Sequence, residues 1–453
     1  MTVARGVVAA GHPVSARAGA DVLRAGGNAV DAALGAMLAA LTCEPLLTGL
    51  GAGGYMLVAR EGMAPVLLDF FVEAPGREDD PARPDRAPAA LIGIDVSFGD
   101  AVQVFHVGPA SVGTYGFPAG VSEAAALFAP GGRLLRAGER LRQPELGDAL
   151  DRLGAEGAAP FYAGDIGSAI AAWLGERGGL VGSADLAAYA VVAREPLRVR
   201  YRGREVLTNP PPSPGGLLLA RALALLDAAP SPPPATALAD VMEEVQALRT
   251  PAFLEGLGQP GFAQRFLRGG SRLGSTTHVS VLDAGGGACS VTCSNGSTSG
   301  VIVPGTGVHL NNMLGESDLN PQGFHRHPPG LRMPSMMSPT ILLAGEPAGP
   351  VLAVGSAGSN RIRSAVLQTI VRTVDEGLDA QAAIEAPRLH YEGGVVYAEP
   401  GIDVAALRAA GRTVQPFRAP NLFFGGAQAT ARGPGGEVSG GGDPRRGGAA
   451  VLV

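Results

Sequence analysis

The stretch that decides the fold is Gly274-Ser275-Thr276-Thr277-His278-Val279-Ser280-Val281-Leu282-Asp283, which lies past the middle of the 453-residue chain. The sequence changes character here, because short apolar and β-branched runs typical of strands predominate after it. Thr has a high strand propensity, so two threonines before such a run are expected on structural grounds alone. Residues 279–283 are predicted to form a strand, and the threonines by themselves indicate no particular chemistry.

Outward from this stretch, helices and strands are predicted in both halves of the chain. The predicted helices cover residues 13–24, 29–41, 119–128, 144–153, 165–176, 217–227, 237–270, 361–376 and 380–385. The predicted strands cover residues 55–59, 66–71, 197–207, 288–293, 301–304, 340–344, 351–354 and 449–453. Helices outside two sets of strands predict an α+β fold of four layers, αββα, with two packed sheets between helices.

Composition argues against several classes of function. The net charge of −6 and the absence of a basic patch argue against nucleic-acid binding. The apolar helical stretch 29–43 contains Asp31 and is shorter than the roughly 20 residues that cross a bilayer. Cys43, Cys289 and Cys293 show neither a disulfide framework nor zinc-ligand spacing, so no metal and no cofactor are expected. No signal peptide is visible, and a soluble cytoplasmic protein is expected.

Several longer motifs then follow one another along the chain. They occupy residues 26–33, 44–45, 51–56, 210–216, 276–280, 310–312, 337–340 and 355–361. In sequence and in order, this set resembles the γ-glutamyltransferase (γ-glutamyltranspeptidase) family of the N-terminal-nucleophile hydrolase superfamily. The resemblance runs from Val7 to Asp443, which is essentially the whole chain.

The resemblance implies the four-layer αββα N-terminal-nucleophile hydrolase fold and a precursor that cleaves itself between Ser275 and Thr276. Residues 1–275 would form a large subunit, with part of the αββα domain and a helical region. Residues 276–453 would form the small subunit, and both would belong to one composite domain. The chemistry explains the residue type, because Thr276 Oγ can attack the Ser275 carbonyl and water can cleave the resulting ester. The new α-amino group, with a reference pKa of about 7.7–8.0, then serves as the base.

The resemblance also assigns partners to Thr276. Gly358 and Ser359 match the positions whose backbone N–H groups stabilise the oxyanion in the family. Ser294 matches a hydroxyl residue that hydrogen-bonds the nucleophile, and Ser335 matches a serine that holds the substrate carboxylate. Glu316 is predicted to meet a substrate amine, with a solvated loop acid as the alternative.

Four positions depart from the family pattern. Phe71 stands where the family has the arginine that grips the α-carboxylate, and Met336 stands at a second serine. Gly296 replaces an asparagine near the nucleophile, and Met313 replaces a glutamine. An apolar surface is therefore predicted to replace part of the polar clamp around the substrate.

The predicted activity is transfer of a γ-glutamyl or related acyl group from an amide such as glutathione to water or an amino acid. One alternative is an acylase of another amide, of the cephalosporin or glutaryl type, and another is an unprocessed binding protein. The expected partners are a small-molecule amide, an optional amino-acid acceptor and the two fragments of one precursor. Thr277 and His278 are predicted to be structural, with cleavage one residue later as the alternative. Arg361 and Arg363 are alternative clamp residues.

Overall fold

The protein is described from a computed structural model. The structure describes residues 6–77, 88–97, 102–117, 143–248, 276–317, 319–320, 323–344, 349–358 and 360–453. The predicted helix 119–128 and most of the predicted helical region 237–270 lie outside these ranges. Ser275 and Ser359 also lie outside them.

Within the described residues, the first sheet has seven antiparallel strands drawn from both halves of the chain. In spatial order they are β20 (Ala449–Leu452), β1 (Val7–Ala10), β9 (Thr277–Leu282), β10 (Gly287–Ser294), β2 (Gly53–Arg60), β3 (Val66–Phe70) and β6 (Val192–Arg194). Strand β9 starts two residues before the predicted strand, because Thr277 and His278 pair with Cys293 and Thr292 of β10.

The second sheet has six antiparallel strands in the described part of the chain. Their spatial order is β19 (Val438–Gly442), β18 (Gly426–Arg432), β14 (Gly349–Ala357), β13 (Thr340–Ala344), β8 (Arg204–Thr208) and β7 (Leu197–Tyr201). The predicted hairpin 197–207 is confirmed as β7 and β8, and its turn carries Arg202 at a positive φ of 49°.

Two helices cover the outer face of the first sheet, α1 (Pro13–Arg24) and α2 (Ala29–Cys43). Asn28 begins α2 with a capping box, because its side chain accepts from the Val30 and Asp31 N–H groups while Asp31 accepts from the Asn28 N–H. The small residues of α2 let it pack closely, as predicted. A Cβ on Gly19 of α1 would lie 2.8 Å from the Ala32 carbonyl oxygen.

Helices on the outer face of the second sheet complete the four layers. They are α7 (Pro214–Asp227), α8 (Ala235–Ala247), α9 (Arg361–Asp375) and α10 (Ala380–Glu385). The αββα arrangement is therefore the one predicted. No helix in the described ranges is long and apolar enough to cross a membrane.

The remaining elements surround this sandwich. Four helices share an apolar cluster with the end of α2 and with the strands β11 and β12: α3 (Pro144–Glu156), α4 (Ala159–Tyr162), α5 (Asp165–Glu176) and α6 (Ser183–Ala188). Small sheets are formed by β4 (Ile92–Ser97) with β5 (Val102–Val107), by β11 (Ile302–Val303) with β12 (Val308–His309), and by β15 (Leu389–Glu392), β16 (Val395–Ala398) and β17 (Thr413–Pro416). Helix α11 (Val404–Ala409) precedes β17.

A buried histidine of the first sheet contacts the second sheet. His278 Nδ1 lies 2.8 Å from Thr292 Oγ1, and its Nε2 lies 2.9 Å from Ser280 Oγ. Burial lowers the pKa of His278 to about 3, so the imidazole is neutral. On the opposite sheet, a Cβ on Gly355 would lie 2.3 Å from this ring. The structural role predicted for His278 is confirmed.

Candidate active site

Thr276 immediately precedes β9, and its side chain lies in the interior. It is 1% exposed, and its hydroxyl has no hydrogen-bond partner among the residues that the structure describes. Thr277 pairs with Cys293, so the next residue of β10, Ser294, lies opposite Thr276. Because side chains alternate along a strand, Thr277 faces α2 and Thr276 faces the second sheet.

Thr276 and Ser294 begin a row of side chains that crosses the first sheet and faces the second sheet. Ser294 pairs with Gly53 of β2, and the register between β2 and β3 places Phe71 next in line. A Cβ on Gly53 would lie 2.8 Å from the Val72 nitrogen, so the backbone leaves no room for a side chain there. The row therefore presents two hydroxyl groups and one aromatic ring to the second sheet.

Gly358 lies at the corresponding end of the second sheet. The Val354 carbonyl of β14 accepts from Ser290 Oγ of β10, and Gly355 packs on His278, so β14 runs towards the Thr276 end of the sandwich. Gly358 has a positive φ of 123°, and a Cβ there would lie 2.6 Å from Gly425 Cα. Both the backbone conformation and this contact require glycine. Gly358 is thus placed at the end of the interior where Thr276 lies.

Ser294 does not make the hydrogen bond predicted for it. The Thr276 hydroxyl has no partner in the described part of the chain, and Ser294 Oγ accepts from the Gly296 N–H at 2.7 Å. The tight turn after β10 brings this N–H back to the Ser294 side chain. Ser294 therefore lies opposite the nucleophile position and holds the turn that follows.

Gly296 and Glu316 lie against each other beside this turn. Gly296 has a positive φ of 66°, and a Cβ there would lie 2.1 Å from Asn312 Oδ1 and 2.7 Å from Glu316 Oε1. An asparagine at 296 would clash with both side chains. Glu316 is 2% exposed and accepts from the Ser297 N–H at 3.0 Å. The alternative of a solvated loop acid is therefore wrong for Glu316.

Phe71 lies inside a packed apolar cluster between the sheets. It is fully buried and stacks on Tyr55, with 5.4 Å between ring centroids. The same cluster contains Met313, Met333 and Met337. Apolar side chains thus occupy the positions of Phe71 and Met313, as predicted, but these side chains fill the interior and do not line an open surface.

A buried arginine beside Phe71 escaped the sequence analysis. Arg332 donates to the Phe71 carbonyl oxygen, lies 3.2 Å from Glu73 and stacks over the Tyr189 ring at 4.7 Å. It also lies 3.7 Å from Asp69. These contacts hold the Arg332 guanidinium against the backbone of Phe71 and the side chains around it. No motif in the sequence marks Arg332, because its partners come from distant segments.

The two arginines considered as clamp residues point elsewhere. Arg361 donates to the Phe423 carbonyl oxygen at 2.8 Å and lies over the Phe423 ring. Arg363 donates to Gln246 Oε1 of helix α8. Neither contact lies beside Phe71, so the structure does not bring these arginines to the clamp position.

The segment before β13 is held by the proline–glycine motif of residues 210–216. The Ser335 carbonyl oxygen accepts from Ser213 Oγ at 2.6 Å and from the Gly215 N–H at 3.1 Å, and Ser335 itself is 2% exposed. Met336 packs with the helices outside the second sheet, whereas Met337 lies between the sheets. Neighbours in an extended segment face opposite sides, so Met336 faces the helices, and its predicted substrate contact stays a prediction.

Glu44 is an acidic residue at the back of the site that the sequence suggested only as a helix terminator. Its Oε1 accepts from Thr277 Oγ1 at 3.0 Å, and it is 9% exposed. Burial raises the pKa of the Glu44 carboxyl to about 7, against the opposing effects of the Thr277 hydroxyl and the Arg446 guanidinium. A carboxyl group that titrates near neutrality therefore lies directly behind the strand that Thr276 precedes.

Comparisons with known proteins agree with this arrangement. The sequence matches the Gamma-glutamyltranspeptidase family over residues 15–125, 116–265 and 235–453. The acylase ACY 1 proenzyme of Pseudomonas sp. strain SE83 is 30% identical, over 99% of this chain and 94% of the relative. The glutathione hydrolase proenzyme of Escherichia coli strain K12 is 28% identical, over 97% and 90% of the two chains. The crystal structure of cephalosporin acylase from Bacillus halodurans matches with a TM-score of 0.78 and 25% identity, covering 100% and 96%.

Proposed function

Since the chain belongs to the gamma-glutamyltranspeptidase family and is an amidohydrolase or acyltransferase of the N-terminal-nucleophile type, we propose that Thr276 is its nucleophile. The chain would be made as a precursor and cleave itself between Ser275 and Thr276. A γ-glutamyl or related acyl group would then pass from an amide to Thr276 Oγ. Water or an amino acid would take the acyl group from this ester.

The observation that carries the proposal is the position of Thr276. Thr276 immediately precedes the central strand β9. Its buried hydroxyl faces the second sheet, at the end where Gly358 lies. No His or carboxylate side chain in the described ranges is bonded to this hydroxyl. A base supplied by the residue itself, the α-amine freed by cleavage, suits this environment.

The proposed steps balance as two acyl transfers. In the precursor, Thr276 Oγ attacks the Ser275 carbonyl carbon, the Ser275–Thr276 amide bond breaks, and water hydrolyses the ester. In the mature protein, the α-amine takes the Thr276 hydroxyl proton while Oγ attacks the substrate carbonyl. Backbone N–H groups at Gly358 and Ser359 would stabilise the oxyanion. The amine then returns the proton to the leaving nitrogen.

Denaturing electrophoresis and intact mass test the cleavage. Fragments 1–275 and 276–453 are expected, and N-terminal sequencing of the smaller fragment should begin at Thr276. Thr276→Ala should remain one chain and lose amidase activity. Thr306→Ala is the matched control, because Thr306 is a buried threonine whose hydroxyl bonds to Val303 and Val308 of its own turn. A wild-type protein that stays full length, or cleavage that survives in Thr276→Ala, would refute the proposal.

A second candidate donor is favoured by the environment of Phe71. An enclosed apolar cluster stands where an arginine would grip the α-carboxylate of a γ-glutamyl group. The candidate is therefore an acylase of another amide, such as a glutaryl amide. The kcat/KM values for γ-glutamyl and glutaryl p-nitroanilides decide between them: a larger value for the glutaryl amide supports the acylase, and the reverse supports the γ-glutamyl donor.

A covalent adduct of a hydroxyl-directed glutamine analogue on Thr276 would exclude the non-catalytic binding protein.

A further inference from the structure

A buried acid lies behind the nucleophile strand and contacts the residue next to the nucleophile. Glu44 Oε1 accepts from Thr277 Oγ1 at 3.0 Å, although 233 residues separate the two in sequence. The pair is enclosed, because a Cβ on Gly11 would lie 2.3 Å from Glu44 Oε1 and 3.1 Å from Thr277 Oγ1. The other carboxyl oxygen, Oε2, is buried without a hydrogen-bond partner among the described residues.

Arg446 is the cation whose charge acts on Glu44, and its side chain packs on the second sheet. The Arg446 guanidinium lowers the pKa of the Glu44 carboxyl. Burial lowers the pKa of Arg446 itself to about 10, and the Glu44 carboxylate opposes that shift. The same side chain runs beside the candidate oxyanion turn. A Cβ on Gly358 would lie 3.5 Å from Arg446 Nη2, and a Cβ on Gly426 would lie 2.3 Å from Arg446 Cδ. Glu44 therefore touches the nucleophile strand on one side and faces a cation packed on Gly358 on the other.

We propose that Glu44 is a positioning residue for the reaction of Thr276: it holds the start of β9 through its hydrogen bond with Thr277, and its charge attracts Arg446, which packs on the Gly358 turn. The inference rests on the proposed function, because it assigns a role in the reaction of that nucleophile. After cleavage, Thr276 is a chain end, and Thr277 is the first residue held by pairing with β10. A displacement of about 1 Å at a reacting group can cost about a hundredfold in rate. The hydrogen bond to Glu44 fixes that first paired residue.

Ionisation of Glu44 gives this role a pH dependence. The groups that act on its carboxyl are the Thr277 hydroxyl of β9 and the Arg446 guanidinium of the C-terminal segment. Burial and the Glu44 carboxylate in turn raise the pKa of the neighbouring Cys43 thiol. The carboxylate accepts a stronger hydrogen bond than the acid does, and it attracts Arg446. Because burial raises the pKa of Glu44 to about 7, the fixed arrangement should form as the pH rises through neutrality.

Self-cleavage is the reaction that isolates this effect. In the precursor the nitrogen of Thr276 is an amide, so no α-amine titrates near neutrality. The rate should be followed from about pH 5.5 to about pH 9, on precursor made by pulse-labelled cell-free synthesis. Wild-type and Thr277→Ser chains should cleave faster as the pH rises through about 7. Glu44→Gln should lose this step and cleave about tenfold more slowly at pH 8, the effect of losing a bond to a charged group.

The Thr277 variants provide a second test that does not alter Glu44. Thr277→Val keeps the shape and removes the hydroxyl, so it should slow cleavage by a similar factor, and adding Glu44→Gln should give little further loss. In mature protein, kcat for a p-nitroanilide should fall while KM stays unchanged. Asp283→Asn is the control: this carboxylate lies at the far end of β9, where it accepts from the Ala29 and Gly287 N–H groups. The Asp283→Asn variant should have a lower Tm, and its cleavage rate should still rise with pH through about 7.

The outcomes separate this inference from the proposed function. If wild type cleaves before Thr276 and Glu44→Gln keeps both its rate and its pH step, the positioning role is overturned and the nucleophile stands. If Glu44→Gln does not fold, equal rates for Thr277→Val and Thr277→Ser overturn the role. A wild-type chain that never cleaves refutes the nucleophile and the positioning role together.

Discussion

At the scale of single residues, the charge state of Glu44 links stability to pH. Its carboxyl has a pKa of about 7 in the folded protein and an ordinary value of 4.5 when unfolded. Between these values the folded state binds more protons at Glu44. The contribution of Glu44 to the free energy of unfolding therefore falls as the pH rises from about 4.5 to about 7, and it is constant above that. The shift corresponds to about 3 kcal/mol at about 1.4 kcal/mol per pKa unit.

Glu44→Gln should remove this contribution. Measured by urea unfolding in the Thr276→Ala chain, which should remain uncleaved, the free energy of unfolding of Glu44→Gln should gain about 3 kcal/mol on the parent between pH 4.5 and pH 8. Glu195→Gln is the control, because the Glu195 side chain is 84% exposed. A constant difference between Glu44→Gln and its parent across this range would contradict the prediction.

At the scale of elements, the packing of β14 on β9 fixes the spacing of the two sheets. A Cβ on Gly355 would lie within 2.3–2.7 Å of three atoms of the His278 ring, and that ring is held by Thr292 and Ser280. Gly355→Ala should therefore lower the free energy of unfolding by about 1–3 kcal/mol through overpacking. Thermal or urea unfolding measures the loss.

Gly349→Ala is the matched control on the same strand. A Cβ there has one neighbour within 4 Å, a Glu61 side-chain oxygen at 4.0 Å, so its effect should stay within about 0.5 kcal/mol. Equal stabilities for the two alanine variants would show that the sheets can separate at His278 without cost.

The apolar periodicity of the sequence predicted the bounds of several helices and strands, but it did not predict which strands pair. The strand 340–344 and the helices 165–176 and 380–385 have the predicted bounds, because each has a clear apolar pattern between turn residues. The four-residue strand β1 is too short to show a period, and its partners β9 and β20 lie far away in sequence. Strand order depends on such distant pairings, which no local pattern contains.

The same limit applies to the candidate site. The motif pointed to Thr276, and the register of β9 and β10 places Ser294 opposite it, although the hydrogen bond that the resemblance implied is not made. Glu44 was interpreted only as a helix end. Its contact with Thr277 joins segments 233 residues apart, so no local pattern could indicate it. Met336 was assigned to the substrate, and only the extended backbone decides which side of the segment it faces.

At the scale of the whole molecule, cleavage before Thr276 would cut the chain without dividing the fold. In the first sheet, β9 and β10 of the small fragment lie between β1 and β2 of the large fragment. In the second sheet, β13 of the small fragment pairs with β8 of the large one. Each fragment would therefore leave unpaired strand edges and exposed core if it separated, which is costly for buried backbone groups.

The two fragments should accordingly stay together after cleavage. Size-exclusion chromatography with light scattering should show them co-eluting in equal amounts, at 45.6 kDa or a multiple of it, and at the position of the Thr276→Ala precursor. Denaturant should be required to separate them, because the shared apolar core makes the contact a permanent one. Fragments that separate under native conditions would contradict this, and would mean that the strand pairing between β1 and β9 and between β10 and β2 does not survive cleavage.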